Sequence, residues 1–414
     1  MLFVTRALPG SYLNVVERID ELRHRLRHQI LNHPRQWIGA LRRQTFARAI
    51  QGSNSIEGFL VSKEDAVAAI EGEAPLDARD ETWLAVTGYR AAMSYILQLA
   101  DDPHYVHNEG TIRSLHYMMT GHDLSKNPGR WRPGTVYVRR SEDGEIVYEG
   151  PEAGLVPGLM RELIDWMNAP DRQPSVIRAA MTHLNLVMIH PFSDGNGRMA
   201  RALQTMVLSR DGVLDPRFSS IEEYLGRNTE EYYAVLAEVG QGSWRPDRDP
   251  LRWIRFCLSA HYRQAEALLR RLKEVERFWN EIEMQLSRRS MNERMALALI
   301  DAAFGFAVRN STYRAANDLS EESAGKDLRA LVRAGMLVPK GEKRGRVYVA
   351  SDWLSAIARR VREPRTVSDP FSGSAAKDRA TRSTLLRAGV ARGAARRARR
   401  SAPATGRTRQ RGDT

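Results

Sequence analysis

The chain has 414 residues, 42% hydrophobic and 27% charged, enough for roughly two or three domains with their own cores. No apolar run approaches the about 20 residues of a membrane helix, and no basic region followed by an apolar stretch opens the chain, so a cytoplasmic protein without membrane contact is expected. The net charge of +13 is not spread evenly: from Pro364 onward thirteen Lys and Arg face three Asp and Glu, leaving +3 for everything before. The basic balance thus belongs to a tail rich in Ala, Gly, Ser and Arg, read as disordered over 359–414, and does not mark the whole protein as a nucleic-acid binder. The single cysteine, Cys257, excludes an intrachain disulfide and a multi-cysteine metal site, and its setting in WIRFCLSA reads as core filler.

Leu13, Val16, Ile19, Leu22, Leu26 and Ile30 recur at helical spacing and predict a helix over 11–33. A second helical segment runs through LRRQTFARAI towards SNSIEGF, and others cover 80–100 and 109–120. Residues 1–105 therefore read as an N-terminal helical region. Within 128–149, the β-prone runs TVYV and EIVY flank an Asp-Gly turn, a hairpin that must pack on something and would serve as a lid or docking edge. Helical pattern returns in GLVPGLMRELIDWMN, SVIRAAMTHLNLVMIH and RMARALQTMVLSRDG, and again near 220–285. The middle segment is apolar on nearly every side, which predicts a central buried helix ending at His190, the residue before a proline. Residues 106–285 form the expected catalytic core with its following helices.

Residues 286–358 change character. Three helices and two short β runs around a basic turn follow the order of a winged helix, with Ser320, Ser323 and Asp327 opening a recognition helix and Lys340, Lys343, Arg344 and Arg346 on the wing. Modules of this size bind either DNA or protein, so DNA contact through 293–350 stands as one of two readings.

Between the buried helix and the next lies HPFSDGNGR, residues 190–198. Gly195, Asn196 and Gly197 allow backbone N–H groups to converge on one concavity, ahead of a helix whose free N–H groups and dipole favour an anion. Arg198 and Arg201 share a face, and two guanidiniums beside such a nest suit a polyphosphate. Asp194 can hold Mg²⁺, which binds through one or two carboxylates plus substrate phosphates. His190 titrates near neutrality and can take a proton from a hydroxyl. Phe192 points to the core and fixes the loop. These are the parts of a phosphoryl or nucleotidyl transfer.

HPFSDGNGRMAR resembles the signature of the Fic family, His-x-Phe-x-Asp/Glu-Gly-Asn-Gly-Arg-x-x-Arg, without departure, and the resemblance extends over roughly 40–260. It implies a mainly α fold: a Fic-type helical core with a β-hairpin flap, here followed by the small α/β winged-helix domain and the tail. It also implies transfer of AMP from ATP, with Mg²⁺, to a Ser, Thr or Tyr hydroxyl of a target protein or of the chain itself. His190 would be the general base, Asp194 the Mg²⁺ ligand, Gly195, Asn196 and Gly197 the phosphate cradle, and Arg198 and Arg201 the β- and γ-phosphate ligands. The flap residues Val136, Tyr137 and Val138, opposite Ile146 to Tyr148, would hold the target by strand addition. Tyr232 and Tyr233 resemble the family's tyrosine pair near the nucleoside pocket. Gly197 stands where phosphate-transferring Doc-type relatives have a lysine.

SNSIEGF resembles the family's inhibitory motif, Ser/Thr-x-x-x-Glu-Gly/Asn, in Ser53, Glu57 and Gly58. A carboxylate delivered to Arg201 would take the place of the γ-phosphate. The local alternative is a capping box, with Asn54 as N-cap and Glu57 three residues on. His183 and His116 read as core histidines. The other readings are a DNA-binding regulator with the Fic core as sensor, a deAMPylating enzyme, or a different donor such as a phosphocholine carrier. A homo-oligomer is compatible with all of them.

Overall fold

The computed structural model describes residues 1–372, apart from 6, 33–35, 140–142, 170–172, 211, 213, 343–344 and 366–367. The fold is mainly helical. α1 (Gly10–Asn32), α2 (Gln36–Ile56), α3 (Lys63–Glu71), α4 (Asp80–Ala100) and α5 (Glu109–Thr120) come first, then the hairpin strands β1 (Tyr137–Arg139) and β2 (Ile146–Glu149). α6 (Val156–Asn168), α7 (Ser175–Ile189) and α8 (Asn196–Ser209) follow. The short helices α9 (Pro216–Ser219) and α10 (Glu222–Arg227), α11 (Thr229–Gly240) and β3 (Gly242–Ser243) lead into the 38-residue α12 (Leu251–Arg288). The chain continues through α13 (Ala296–Ala303), α14 (Asn310–Asn317), α15 (Glu321–Arg333), β4 (Leu337–Lys340), β5 (Val347–Ala350) and α16 (Asp352–Val361).

Local chemistry accounts for the boundaries. Asn108 caps α5 by accepting from the Thr111 N–H, and Ser320 caps α15 by accepting from the Ser323 N–H. α3 had no counterpart in the sequence reading; it starts at Ser62, whose Oγ accepts from the Asp65 N–H, and stops at Gly72 with φ of 73°.

α7 is the axis of the first core, as its composition predicts. Its residues from Val176 to Leu186, Arg178 excepted, are all buried, and Trp253 of α12 donates to the Ala180 carbonyl at 2.7 Å. Cys257 packs here, fully buried. A second core joins the later half of α12 to Leu26 and Ile30 of α1, Trp37 and Leu41 of α2, and α13, α15 and α16. Helices α1, α2 and α12 thus run through both cores.

The hairpin packs through two contacts. β3 pairs parallel to β2, placing Gly242 opposite Tyr148, and the Tyr148 hydroxyl donates to the Met188 carbonyl at the end of α7. β1 is the outer strand and begins at Tyr137, so Val136 lies just before it. Past α15, β4 and β5 pair antiparallel, with Lys340 opposite Val347.

Two expectations need correction here. The tail does not begin at 359: α16 continues to Val361, burying Leu354, Ile357 and Ala358, because these apolar residues share a helical face that the neighbouring arginines obscure in the sequence. Further on, Phe371 packs edge-on against Tyr12 at 5.2 Å, and Arg18 donates to the Pro370 carbonyl. Residues 373–414, and Lys343 and Arg344 of the wing, lie outside the described residues. Asp327 faces inward, held by Arg294 at 2.7 Å and by the Tyr313 hydroxyl at 3.0 Å.

Candidate active site

α7 ends on His190, whose N–H donates to the Leu186 carbonyl and whose φ is 51°. Pro191 does push this residue out of the right-handed helical region, but into the left-handed one rather than an extended conformation. That geometry costs on the order of 1 kcal/mol in a non-glycine residue, so the surroundings must impose it. Nδ1 of His190 donates to the Val187 carbonyl at 3.1 Å, which leaves Nε2 with its lone pair. Burial holds the imidazole below its ordinary pKa and hence neutral.

The loop then closes on itself. The Asn196 side chain accepts from the Phe192 N–H and donates to the Phe192 carbonyl, both at 2.9 Å. Phe192 is fully buried and stacks on His116, ring centroids 3.7 Å apart and 5° from parallel. Gly195 is the N-cap of α8 with φ of 75°, a conformation that favours glycine. Asp194 accepts from the Gly195 N–H through Oδ1 at 2.7 Å and faces Lys126 across 3.7 Å through Oδ2. Among the described residues no three His, Cys, Asp or Glu side chains gather as a metal site. A lone half-exposed carboxylate fits a cation that takes most of its ligands from water and phosphate, as Mg²⁺ does.

Above the first turn of α8 lies the end of α2. The Arg201 guanidinium is fully buried; Nε donates to Ser53 Oγ at 2.7 Å, and Nη2 donates to the Ser53 carbonyl at 3.0 Å and to Glu57 Oε1 at 2.7 Å. A Cβ on Gly197 would fall 2.2 Å from that same Oε1. Glu57 therefore stands in the anion position of the helix N-terminus, and Gly197 leaves the room for it. Arg198 donates weakly to the Met119 carbonyl at 3.4 Å and lies 4.9 Å over the Phe59 ring. Arg198 Nε and Arg201 Nη1 are buried without a hydrogen-bond partner.

The capping-box reading of Asn54 and Glu57 is incorrect. Ser53 to Ile56 are the last residues of α2, not the first of a new helix: Asn54 Nδ2 donates to the Ile50 carbonyl, and Gly58, with φ of 84°, turns the chain away. α2 is seated on α10 by two glycines. A Cβ on Gly52 would fall 2.5 Å from the Glu222 carbonyl, and one on Gly226 would fall 2.6 Å from Gly52 Cα.

Residues 107–208 match the family described as Fic/DOC. They form a Fic/DOC family domain. Protein adenylyltransferase fic-1 of Caenorhabditis briggsae is 27% identical over 252 residues, 59% of this chain and 46% of that protein. Protein adenylyltransferase Fic of Aedes aegypti is 28% identical over 234 residues, 56% and 44%. The chain thus spans a little under half the length of these curated relatives. The crystal structure of a Fic family protein from Desulfovibrio desulfuricans G20 superimposes with a TM-score of 0.55 at 23% identity, covering 84% of this chain and 98% of that one, and shares its fold.

The Fic domain runs from the cap of α5 to the end of α8, so it contains His190 through Arg201, while Ser53 and Glu57 reach it from outside. His183 is a core histidine, as read: Nδ1 donates to Gln204 Oε1 at 2.6 Å, and Nε2 accepts from the Tyr232 hydroxyl at 3.0 Å. The Tyr233 hydroxyl donates to the Ile56 carbonyl, next to Glu57. No helix among the described residues is long and apolar enough to cross a membrane.

Two residues of the Fic domain beside the motif were not marked as functional by sequence reasoning. His116 accepts from the Gly129 N–H through Nδ1 at 2.8 Å and donates from Nε2 to the Asp194 carbonyl at 2.9 Å. Arg132 donates from Nε to the His190 carbonyl at 2.8 Å, from its backbone N–H to the Pro191 carbonyl at 2.9 Å, and from Nη1 and Nη2 to the Gly134 and Pro151 carbonyls. The available signal was an arginine bracketed by turn residues in GRWRPG, directly before the hairpin.

Proposed function

We propose that the chain is an autoinhibited protein adenylyltransferase that moves AMP from ATP to a Ser, Thr or Tyr hydroxyl of a target protein. The observation that carries this reading is the Glu57 carboxylate at Arg201 and over Gly197, an internal anion in a site built for a phosphate. His190 Nε2 takes the proton of the acceptor hydroxyl while its oxygen bonds to the α-phosphorus, and the bond from that phosphorus to the β-phosphate oxygen breaks to release pyrophosphate. Gly195, Asn196 and Gly197 offer the backbone nest to the phosphates, and Arg198 and Arg201 hold the β- and γ-phosphates. Asp194 would hold Mg²⁺, which would supply neutralisation of the phosphate charge. With Glu57 on Arg201, the γ-phosphate is excluded and ATP cannot reach the in-line pose. The outer edge of β1 is unpaired within its sheet, which suits strand addition by a target segment along Val136, Tyr137 and Val138.

The relatives' names support adenylyl transfer; the Tyr232 and Tyr233 pair beside Glu57 suits a nucleoside site. Intact mass measurement of wild type, Glu57→Gly and Glu57→Gly/His190→Ala after incubation with ATP and Mg²⁺ tests the reading. AMP added only to Glu57→Gly is the expected result. Added phosphate, or no adduct on Glu57→Gly even with a denatured proteome as acceptor, overturns it in favour of another donor or of AMP removal.

A second reading concerns residues 286–358, which we assign as a winged-helix module. Lys326, Arg329 and Arg333 are exposed on one face of α15, the helix that would enter a major groove. Binding of duplex DNA that weakens steeply with salt and is lost in the triple alanine variant supports it; salt-insensitive or absent binding removes it.

A further inference from the structure

The catalytic loop is fastened at both ends by side chains that lie outside it. At the Asp194 end, His116 holds the carbonyl of Asp194, which belongs to the same rigid peptide plane as the Gly195 N–H. That N–H in turn locks Asp194 Oδ1. One imidazole therefore sets the direction of both a nest N–H and the carboxylate, while its other nitrogen ties in Gly129 and its face lies on Phe192. Because Nδ1 accepts from the Gly129 N–H, the ring proton sits on Nε2 and is directed at the Asp194 carbonyl.

At the His190 end, the Arg132 guanidinium holds the carbonyl of His190, and thereby the strained turn that aims the base, while its backbone N–H holds Pro191. The same guanidinium reaches Gly134 and Pro151, which bracket the hairpin on either side. The positions of the flap and of the base are thus set by one planar fork. A lysine, with a single ammonium, cannot span those carbonyls at once.

Resting on the adenylyltransferase reading, we infer that His116 and Arg132 are positioning residues with separate duties. His116 sets the nucleotide end of the loop through the Asp194–Gly195 peptide. Arg132 sets the base end and registers the flap, and with it the acceptor hydroxyl, against His190.

The separation of duties gives the test. In the full chain carrying Glu57→Gly, initial self-transfer rates are measured by intact mass across a range of MgATP concentrations. His116→Phe keeps the stacked ring and loses both hydrogen bonds; it is expected to raise half-saturating MgATP about fivefold or more with a smaller loss of plateau rate. Arg132→Gln is expected to lower the plateau about tenfold or more while half-saturation stays within about twofold, and Arg132→Lys to fall between. Parallel changes in both constants for both variants would mean general loosening and would overturn the inference, as would unchanged constants. If His116→Phe or Arg132→Gln melts well below its parent, His116→Asn and Arg132→Lys decide by the same criterion. Should the Glu57→Gly parent transfer nothing to itself or to a denatured proteome, the adenylyltransferase reading fails, and calorimetric MgATP binding still tests the inference. Weaker binding in His116→Phe alone supports it, and equal binding in all variants overturns it.

Discussion

Arg201 and Glu57, 144 residues apart, meet at 2.7 Å with the arginine wholly out of solvent. A buried guanidinium needs an anion, and it has one of its own chain. Removing that anion frees the site but leaves the cation exposed to a low dielectric. Glu57→Gly is therefore expected to raise AMP transfer about tenfold or more and to melt at a lower temperature than wild type. MgATP should restore much of the loss, since a ligand at 100 times its Kd adds about 2.7 kcal/mol. Scanning fluorimetry with and without MgATP checks this; an equal nucleotide shift in wild type and variant would show that Glu57 does not compete with phosphate.

His190→Ala in the Glu57→Gly background is expected to lower transfer by about 10²-fold or more. The active form of the base is neutral, and burial lowers its pKa, so the neutral form persists below the ordinary histidine midpoint of about 6.5. The acid limb of the rate–pH profile should lie under that midpoint. A limb centred above pH 7 would assign the proton transfer to another group.

Folding stability should fall on mild acidification. Burial holds His107 and His116 down to about 4 and His183 and His261 down to about 3. These rings are neutral when folded but take protons when unfolded below about pH 6.5, so each withdraws about 1.4 kcal/mol per pH unit as pH drops from there towards its folded value. Glu222 acts the other way: burial raises it to about 7, and its contribution declines as pH rises from 4.5 to 7. His122 and His190 are held low as well, and Glu71 is raised like Glu222, so six imidazoles outweigh two carboxyls and Tm should be several degrees lower at pH 5 than at pH 7. Equal melting at the two values would contradict the burial of these histidines.

Asp301 of α13 receives Arg43 at 2.5 Å and Gln44 at 2.9 Å from α2, and Arg48 donates to the Phe304 carbonyl beyond it. Asp301→Ala is expected to speed amide exchange at residues 53–58 and to raise transfer by wild-type Glu57 protein, without adding to Glu57→Gly. Faster exchange confined to α13 would separate the two ends of α2.

The chemistry of the loop was legible because it is written in consecutive residues: His190 to Arg201 carry base, nest and cations within one turn and one helix start. α7 was legible because it is apolar on nearly every side. Glu57 could be connected to Arg201 only through a motif, since no local pattern links them, and periodicity even suggested a cap where α2 in fact ends. His116 and Arg132 escaped because what they hold are carbonyls, which every residue has, on segments brought near only by folding. α16 escaped because the charge of Arg359 and Arg360 outweighed the three buried apolar positions Leu354, Ile357 and Ala358 in composition, though not in packing. The joining of α1, α2 and α12 to both cores is likewise a property of the assembled chain.

Taken as a rigid rod, α2 would pivot where its backbone presses on α10. Its 21 residues span about 30 Å, and the bare glycine contact of Gly52 with Gly226 lies close to one tip. From the pivot to Gln36 is about 24 Å, and from the pivot to Glu57 about 8 Å. α13 holds Arg43 and Gln44, about 13 Å from the pivot, so a displacement imposed there reaches Glu57 reduced less than twofold. A shift of several ångströms at Asp301 would therefore carry the Glu57 carboxylate clear of the Arg201 guanidinium.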